Sequence, residues 1–266
     1  MYIINPYAII PGGGAGFDSS YQDVLNRATA LGYTLPDAGN QTLQNQLVVD
    51  LKAAGIWSGL DVFYPMLTNI NFARINWKTP ASNLITFPGA TPTYSTTNGF
   101  TGNASSMYLS TNWIPSSGPN YTLNNAGHGC YIVVNGTDER NIYGTSNAAD
   151  DSTNAMNLRP RAASGFSNSR INSGQYAAAA SVTDSTGFWH IQRLASNSVT
   201  HYQNGTNLQS NTFTSTGMSN NAVYILAENQ NGTVSNYNAN NIHLFWAGSN
   251  LSGLTTSFSN IINAFY

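Results

Sequence analysis

Carboxylates are the side chains best suited to acid–base chemistry, and this chain has few of them. Glu139 and Glu228 are its only glutamates, and Asp150 and Asp151 adjoin one another in a polar stretch. Glycoside hydrolysis needs two carboxyl groups that flank one bond, so on a strand they would stand at alternate positions, as in E-x-D-x-E. No such pattern occurs. We interpret both glutamates as solvated carboxylates, Glu139 at a hairpin tip and Glu228 at a strand end, and expect no catalytic residue.

Metal and thiol chemistry find equally little support. Asp150 and Asp151 could help to hold Ca²⁺ with neighbouring asparagine carbonyls, but such a pair is typical of an ordinary loop, and neither a metal nor another cofactor is predicted. His190 and His201 fall on adjacent predicted strands, where packing between the strands is favoured over a site. Cys130, the only cysteine, has no cation beside it to stabilise a thiolate, so a buried, inert thiol is expected. The four histidines without H-x-H spacing are His128, His190, His201 and His243.

Aromatic residues in loops give a second functional hypothesis. Trp113, Tyr121 and Tyr237 lie in predicted loops rich in amide side chains. Aromatic rings offer flat apolar faces, and amides can hydrogen-bond to hydroxyl groups. We therefore name these three residues as candidate glycan contacts.

The composition excludes several classes of partner. Only 8% of the residues are charged, against about 25% in ordinary domains, and the net charge is −2. A surface with so little charge has weak electrostatic protection against association, so the chain suits an assembled state. The nine basic residues are scattered, which argues against nucleic acid. No stretch approaches the ~20 apolar residues of a membrane-spanning helix, and the apolar start lacks the basic region of a signal peptide.

A β-meander over residues 187–210 organises the chain. Phe188, His190 and Gln192 alternate with Trp189, Ile191 and Arg193, and Asn204-Gly205 suits a type I′ turn. Turn signals recur about every ten residues, which predicts an antiparallel sandwich over 61–246 with Trp189 in its core. The other predicted strands cover 61–67, 74–77, 93–95, 107–110, 129–134, 141–143, 156–159, 175–181, 224–227 and 241–246.

These residues resemble a known fold. The pattern W-H-I-x-R, a polar turn, then V-x-x-Y-x-N-G is similar to the central hairpin of concanavalin A-like (laminin-G-like) domains. The resemblance implies a mainly β, antiparallel jelly-roll sandwich over residues 61–266. It is closed by a C-terminal amphipathic helix that Asn250 or Ser252 would cap. That fold carries lectins, glycosidases and structural modules alike, so it does not decide function.

The first 60 residues differ in character. Residues 1–17 form an apolar arm in which Pro6 and Pro11 forbid a helix and Gly12–Gly14 act as a hinge. Its large apolar side chains indicate a partner surface. They are Tyr2, Ile3, Ile4, Tyr7, Ile9 and Ile10.

Residues 18–60 have helical periodicity and predict a helical hairpin. Asp18 or Ser19 is the expected N-cap of the first helix, and Gly32 follows its end. The second helix is expected over about 39–54. Its predicted buried stripe is Leu43, Leu47, Val48 and Leu51.

A second resemblance extends over nearly the whole chain and is carried by the helical hairpin and the first part of the predicted sandwich. The segment YQDVLNRATALGYTLPDAGNQTLQNQLVVDLKAAGIWSGLDVFYPM, with INWKTP and TYSTTNGFTGNASSMYLSTNWIP, resembles structural proteins of tailed bacteriophages, particularly those infecting Bacteroidetes. The resemblance implies a non-enzymatic virion component, such as a capsid decoration, head fibre, or tail or spike subunit. Its N-terminal region would attach to other virion proteins, and a homotrimer or homodimer is expected. The alternative is a receptor-recognition protein on the virion that binds a host surface glycan.

Overall fold

The computed structural model describes residues 16–179 and 181–266. The arm side chains from Tyr2 to Ile10 lie outside the described residues. The helices are α1 (Ser19–Ala30), α2 (Ala38–Ala53) and α3 (Thr255–Phe265). The strands are β1 (Leu60–Pro65), β2 (Thr93–Ser95), β3 (Gly99–Thr101), β4 (Leu109–Ser110), β5 (Ala126–Ile132), β6 (Tyr143–Ser146), β7 (Met156–Arg159), β8 (Ser167–Ile171), β9 (Ala177–Ala179), β10 (Gly187–Ala195), β11 (Ser198–Gln203), β12 (Thr206–Asn211), β13 (Tyr224–Ile225), β14 (Glu228–Gln230), β15 (Thr233–Ser235), β16 (Asn241–Ile242) and β17 (Leu244–Gly248).

Two large sheets form the β-sandwich that the sequence predicts. The first sheet has the order β1-β17-β5-β10-β11-β12 and is antiparallel throughout. The second has the order β15-β14-β6-β7-β8-β9, with β13 beside β6 and β4 beside β13. A small third sheet joins β16, β3 and β2. The fold class, mainly β with a C-terminal helix, is confirmed.

Alternation along β10 explains how the first sheet is buried on both faces. Trp189 and Ile191 point into the core between the sheets, where they meet residues such as Met156 of β7. Phe188 points to the opposite face, into a second core shared with the helices. All four side chains are buried, so the predicted core position of Trp189 is confirmed.

The helices cover the outer face of the first sheet. Phe258 of α3 packs with its ring centroid 4.8 Å from that of Phe188 and 5.0 Å from that of Trp246. Tyr21 of α1 lies 5.5 Å from Trp77 in the same core. The helical hairpin therefore shares a hydrophobic core with the sandwich.

Local signals set the first two helices but not the third. The Asp18 side chain accepts a hydrogen bond from the Ser20 amide at 2.9 Å, and Gly32 follows α1 with φ +69°, as predicted. Helix α3 begins at Thr255 without a side-chain cap, so the predicted cap at Asn250 or Ser252 is wrong. Asn250 instead accepts from the Ser252 amide in the preceding turn, at 3.1 Å.

Two further expectations need correction. The sequence predicts a strand over 74–77, but Phe72–Arg74 is a 3₁₀ turn. It also predicts purely antiparallel sheets, yet β14 pairs with β6 in parallel. The chain reverses after β13 at Leu226, whose φ is +63°, and this brings β14 back along the same strand.

Candidate functional site

A row of polar residues crosses the outer face of the second sheet. Glu228 of β14 is in register with Gly144 of β6, which is in register with Asn157 of β7 and, through it, Arg170 of β8. Directly opposed residues share a face of a sheet, and the alternate positions of the same strands, such as Leu158, supply the core. The polar row therefore lies on the face that the helices do not cover.

Glu228 is the centre of the hydrogen bonding in this row. Its Oε2 accepts from Asn236 Nδ2 at 2.7 Å and from Gln230 Nε2 at 3.0 Å. Its Oε1 accepts from Asn157 Nδ2 at 3.3 Å and from Asn141 Nδ2. Four amides thus hold one carboxyl group that is fully buried.

The loop between β6 and β7 adds a second buried carboxylate to the row. Asp151 accepts through Oδ2 from Arg170 Nη1 and from Asn157 Nδ2, each at 3.2 Å. Asp151 has φ +60°, a left-handed conformation that turns its side chain inward from an otherwise exposed loop. Two carboxyl groups and one guanidinium therefore occupy one buried cluster.

Charge in this cluster changes the acidity of Glu228. Burial raises the pKa of its carboxyl well above the usual value, and the neighbouring Asp151 carboxylate raises it further. Arg170 forms an ion pair with Asp151 at 3.2 Å, so protonation of Glu228 avoids a second, unpaired negative charge in the cluster. The expectation of a solvated Glu228 is therefore wrong: its neighbours in the sheet and the β6–β7 loop enclose it.

The enclosed cluster has the chemistry of a structural network. Within residues 16–179 and 181–266, no three His, Cys, Asp or Glu side chains gather as a metal site would require. The Asp151 and Asn157 Oδ1 atoms are buried without a hydrogen-bond partner. A ligand approaching from solvent would meet the loops that cover these atoms.

Aromatic rings stand at both ends of the polar row and are more accessible. Tyr176, just before β9, is 49% exposed and stacks on Arg170, whose guanidinium carbon lies 3.6 Å from the ring centroid. At the other end, Tyr224 is in register with Gly144. Its ring centroid lies 4.9 Å from that of Tyr108, which lies 5.9 Å from that of Tyr237.

Two of the three predicted glycan contacts are wrong. Trp113 is 3% exposed and Tyr121 is fully buried, and their rings pack edge to face in the core between the sheets at 5.6 Å. Asp61 of β1 draws this loop inward because its carboxylate accepts from the Tyr121 amide at 2.8 Å and from the Asn120 amide at 3.0 Å. Tyr237 is half-buried at the edge of the outer face, and its glycan role stays a prediction.

The remaining candidates are structural in their surroundings. His190 is paired with Tyr202 and His201 with Ile191, so the two histidines lie on opposite faces and do not meet. Cys130 is fully buried, and burial raises the pKa of its thiol well above the usual value. Glu139 lies in an exposed loop and pairs with Arg159 at 3.2 Å, while Asp150 is exposed.

Sequence reasoning missed Tyr176 and the polar row. A signal was present in β7, where Asn157 and Arg159 alternate with Met156 and Leu158. Such alternation marks a strand with one apolar and one polar face. The partners of that polar face could not be identified without the strand order.

No family model matches the chain, and no curated protein sequence matches it. Its fold resembles that of domain 4 of AbnA, a GH43 extracellular arabinanase from Geobacillus stearothermophilus solved with arabinotriose. The TM-score is 0.47 with 12% identity, over 76% of this chain and 98% of that one. For Trypanosoma rangeli sialidase the TM-score is 0.49 with 9% identity, over 85% and 40% of the two chains.

A third likeness is to NanB, a sialidase from Streptococcus pneumoniae. With NanB plus Optactamide the TM-score is 0.41 and the identity 15%, over 59% of this chain and 26% of that one. The chain thus spans about a quarter of NanB. At these identities the likeness concerns the β-sandwich fold alone.

None of the helices in the described part of the chain is both long and apolar enough to cross a membrane.

Proposed function

We propose that this protein is a non-enzymatic component of a tailed-bacteriophage virion, attached by its helical side and displaying the second sheet. The supporting observation is that the outer faces of the two sheets differ in what covers them. The first sheet is covered by α1, α2 and α3 over a continuous hydrophobic core. The outer side of the second sheet carries a polar row under its loops, linked by hydrogen bonds such as Asn157 to Glu228 and Arg170 to Asp151, with tyrosines at its ends.

This one-sided construction suits a protein with one attached and one exposed side. Gly16 and Phe17, which follow the apolar arm in sequence, lead into α1 on the helical side. The resemblance of the helical hairpin to phage structural proteins supplies the virion part of the proposal. The carboxyl groups closest to a catalytic pair, Asp151 and Glu228, are enclosed, which supports a non-enzymatic role.

The virion role is tested on particles. An antibody raised against the purified chain is used for immunogold labelling of tailed particles banded from a lysate that produces it. We expect gold at a fixed position on intact particles and peptides of the chain in the banded fraction. If the chain is abundant in the lysate but absent from banded particles, the virion role is wrong.

A second function, glycan recognition on the displayed face, is favoured by Tyr176. Its ring has one face on Arg170 and remains 49% exposed. Such a ring is fixed in orientation and costs little entropy when a sugar stacks on it. Tyr237 would contribute at the opposite end of the row, where its ring lies 5.9 Å from that of Tyr108.

Glycan recognition is tested by comparing Tyr176→Ala with Phe166→Ala on a glycan array and by calorimetry with a bound hit. Phe166 is a matched control because it is 46% exposed in the preceding turn. We expect Tyr176→Ala to weaken binding at least tenfold and Phe166→Ala to leave it unchanged. Equal binding by both variants, or no glycan bound by the unaltered chain, would exclude this face.

A further inference from the structure

A large groove runs along the helical side of the molecule. Its volume is 1440 Å³, and it lies between α2, the end of α3 and one end of the first sheet. This exceeds the ~300–1,000 Å³ of small-molecule pockets and suits a peptide segment. Its apolar lining includes Leu35, Leu43, Leu67, Ile261 and Phe265.

Leu43 shows that this groove lacks its cover among the described residues. The helical stripe of α2 predicts that Leu43 is buried with Leu47, Val48 and Leu51. The last three are buried, but Leu43 is 48% exposed and Leu35 beside it 37%. The apolar stripe of α2 thus extends beyond the core that the chain builds for itself, which is typical of a contact surface.

The chain contains a segment whose chemistry fits this groove. Residues 2–10 carry six large apolar side chains, and residues 1–15 have no charged side chain. Asp37 and Asp50 are the only charged residues in the lining. An uncharged segment adds no carboxylate that these two would repel. Pro6 and Pro11 favour the extended shape that a groove accepts.

The geometry of α2 indicates which copy supplies the segment. The arm enters α1 at Asp18, whose amide donates to Asn45 and whose carboxylate pairs with Lys52. At 100° per residue, Asn45 and Lys52 lie about half a turn around α2 from Leu43 and Leu47. The root of the arm is therefore on the far side of α2 from the groove, and a chain's own arm would have to pass around the helix.

We infer that this groove receives the arm, residues 2–10, of a neighbouring copy of the same chain. Mutual exchange between two copies closes as a dimer, and cyclic exchange among three closes as a trimer. This rests on the attachment role proposed for the N-terminal region and names its partner. Because its test uses the purified chain alone, failure here would leave the particle-labelling result standing.

The test is disulfide trapping in the full chain. Ile4→Cys is combined with Leu43→Cys, and Cys130 does not interfere because it is fully buried. After mild oxidation, we expect a reducible band at the mass of two or three chains on a non-reducing gel. Mixing the two single variants should give the same linkage between copies. Ile4→Cys with Asn26→Cys, on the exposed face of α1, is the matched control and should give background linkage only.

Two outcomes of the disulfide trapping would overturn the inference. An internally linked monomer would mean that each arm binds its own groove, and linkage no higher than the control would mean that the groove does not bind the arm. Sedimentation of chains without the introduced cysteines is an independent check of self-association. Leu43→Asp should weaken self-association at least tenfold, whereas Phe166→Asp, an equally exposed site elsewhere, should not. An unaltered chain that remains monomeric at about 100 µM would also overturn it.

Discussion

Arg193 is a buried cation that joins the two sheets without a carboxylate partner. It lies in β10 between the sheets and is fully buried. Its guanidinium donates to the carbonyl of Ile171 at 2.8 and 3.0 Å, of Ser196 at 3.0 Å and of Phe213 at 3.2 Å. Burial lowers its pKa to about 10, so the group remains charged at neutral pH. One side chain therefore binds the end of β8, the turn between β10 and β11, and the segment that follows β12.

Arg193→Met should be strongly destabilising. The methionine fills part of the volume but removes the guanidinium donors of two buried carbonyls, those of Ile171 and Phe213, at a cost of roughly 3 kcal/mol or more. Urea unfolding followed by tryptophan fluorescence measures this loss. Arg161→Met is the control, since that half-buried guanidinium makes one hydrogen bond, to Asn135, and should cost under about 1 kcal/mol. Similar losses in the two variants would contradict this role of Arg193.

Glu228→Gln tests whether the buried Glu228 carboxyl group in the polar row is protonated. Burial and Asp151 raise the pKa of Glu228 in the folded state, so its stabilisation is present at low pH and is lost as the pH rises above about 4.5. Glutamine does not titrate. The variant should therefore gain stability relative to the unaltered protein between pH 6 and pH 8, by up to about 1.4 kcal/mol per pH unit.

Thermal melting at the two pH values measures that gain. Glu139→Gln, at a loop carboxylate whose side chain is 64% exposed, should change the melting temperature equally at both. A Glu228→Gln difference that is independent of pH would show that Glu228 is ionised throughout this range.

At the scale of elements, the helical hairpin behaves as a layer of the fold. Phe63 of β1, Phe72 and Trp77 are buried in the core that also contains Tyr21 and Leu47 of the helices. Removing the helices would expose these rings to water. Deletion of residues 1–56 should therefore abolish cooperative unfolding and soluble expression.

The shorter deletion, of residues 1–15, is the matched control. It ends before Gly16 and leaves both helices intact, so it should keep a cooperative melt close to that of the full chain under conditions where copies do not associate. Circular dichroism on both truncations decides whether the helical hairpin is a layer of the fold or an independent module. A soluble 57–266 fragment with a cooperative melt would mean that the hairpin is an independent module.

The elements themselves were largely predictable from local sequence. The alternation of Trp189 and Phe188 gives the two faces of β10, and Asp18 and Gly32 give the ends of α1. These signals act over a few residues. The failures concern contacts between distant residues: Tyr121 is held inward by Asp61, and no local pattern distinguishes an anchored loop from a solvated one.

The polar row was unpredictable for the same reason. Glu228 meets Asn157, 71 residues away in sequence, and Arg170 reaches Asp151 only because the β6–β7 loop folds over the sheet. Sequence showed that the polar residues existed but gave no strand order to bring them together. The prediction that Leu43 is buried is also wrong, and its exposed side chain lies in the lining of the groove.

At the scale of the whole molecule, the buried histidines make acid stability a test of the complete fold. Burial lowers the pKa of His128, His190 and His201 to about 3 and that of His243 to about 4. The cause is burial, because a charged imidazolium loses its hydration inside the protein. In His128 the Nε2 lies 3.0 Å from the Arg170 carbonyl and the Nδ1 2.7 Å from the Tyr143 hydroxyl, so both ring nitrogens are occupied by protein groups rather than water.

The sign of the pH effect follows from these lowered pKa values. The unfolded histidines bind protons below about pH 6.5, whereas the folded ones remain neutral to about pH 4, so stability falls as the pH falls through this window. Four histidines give about 5 kcal/mol per pH unit at the steepest point, and Glu228, with its raised pKa, offsets about one proton of that. A fold of ordinary stability, ~5–15 kcal/mol, should therefore unfold between about pH 4 and pH 5.5.

Fluorescence-detected urea unfolding from pH 8 to pH 4.5 measures this pH dependence. The free energy of unfolding should fall steeply below pH 6.5, whereas above pH 7 only the shallower, opposite slope of Glu228 remains. His128→Gln should reduce that net slope of about three protons by about a third. A stability that is constant between pH 7 and pH 5 would mean that the histidines are not buried in solution.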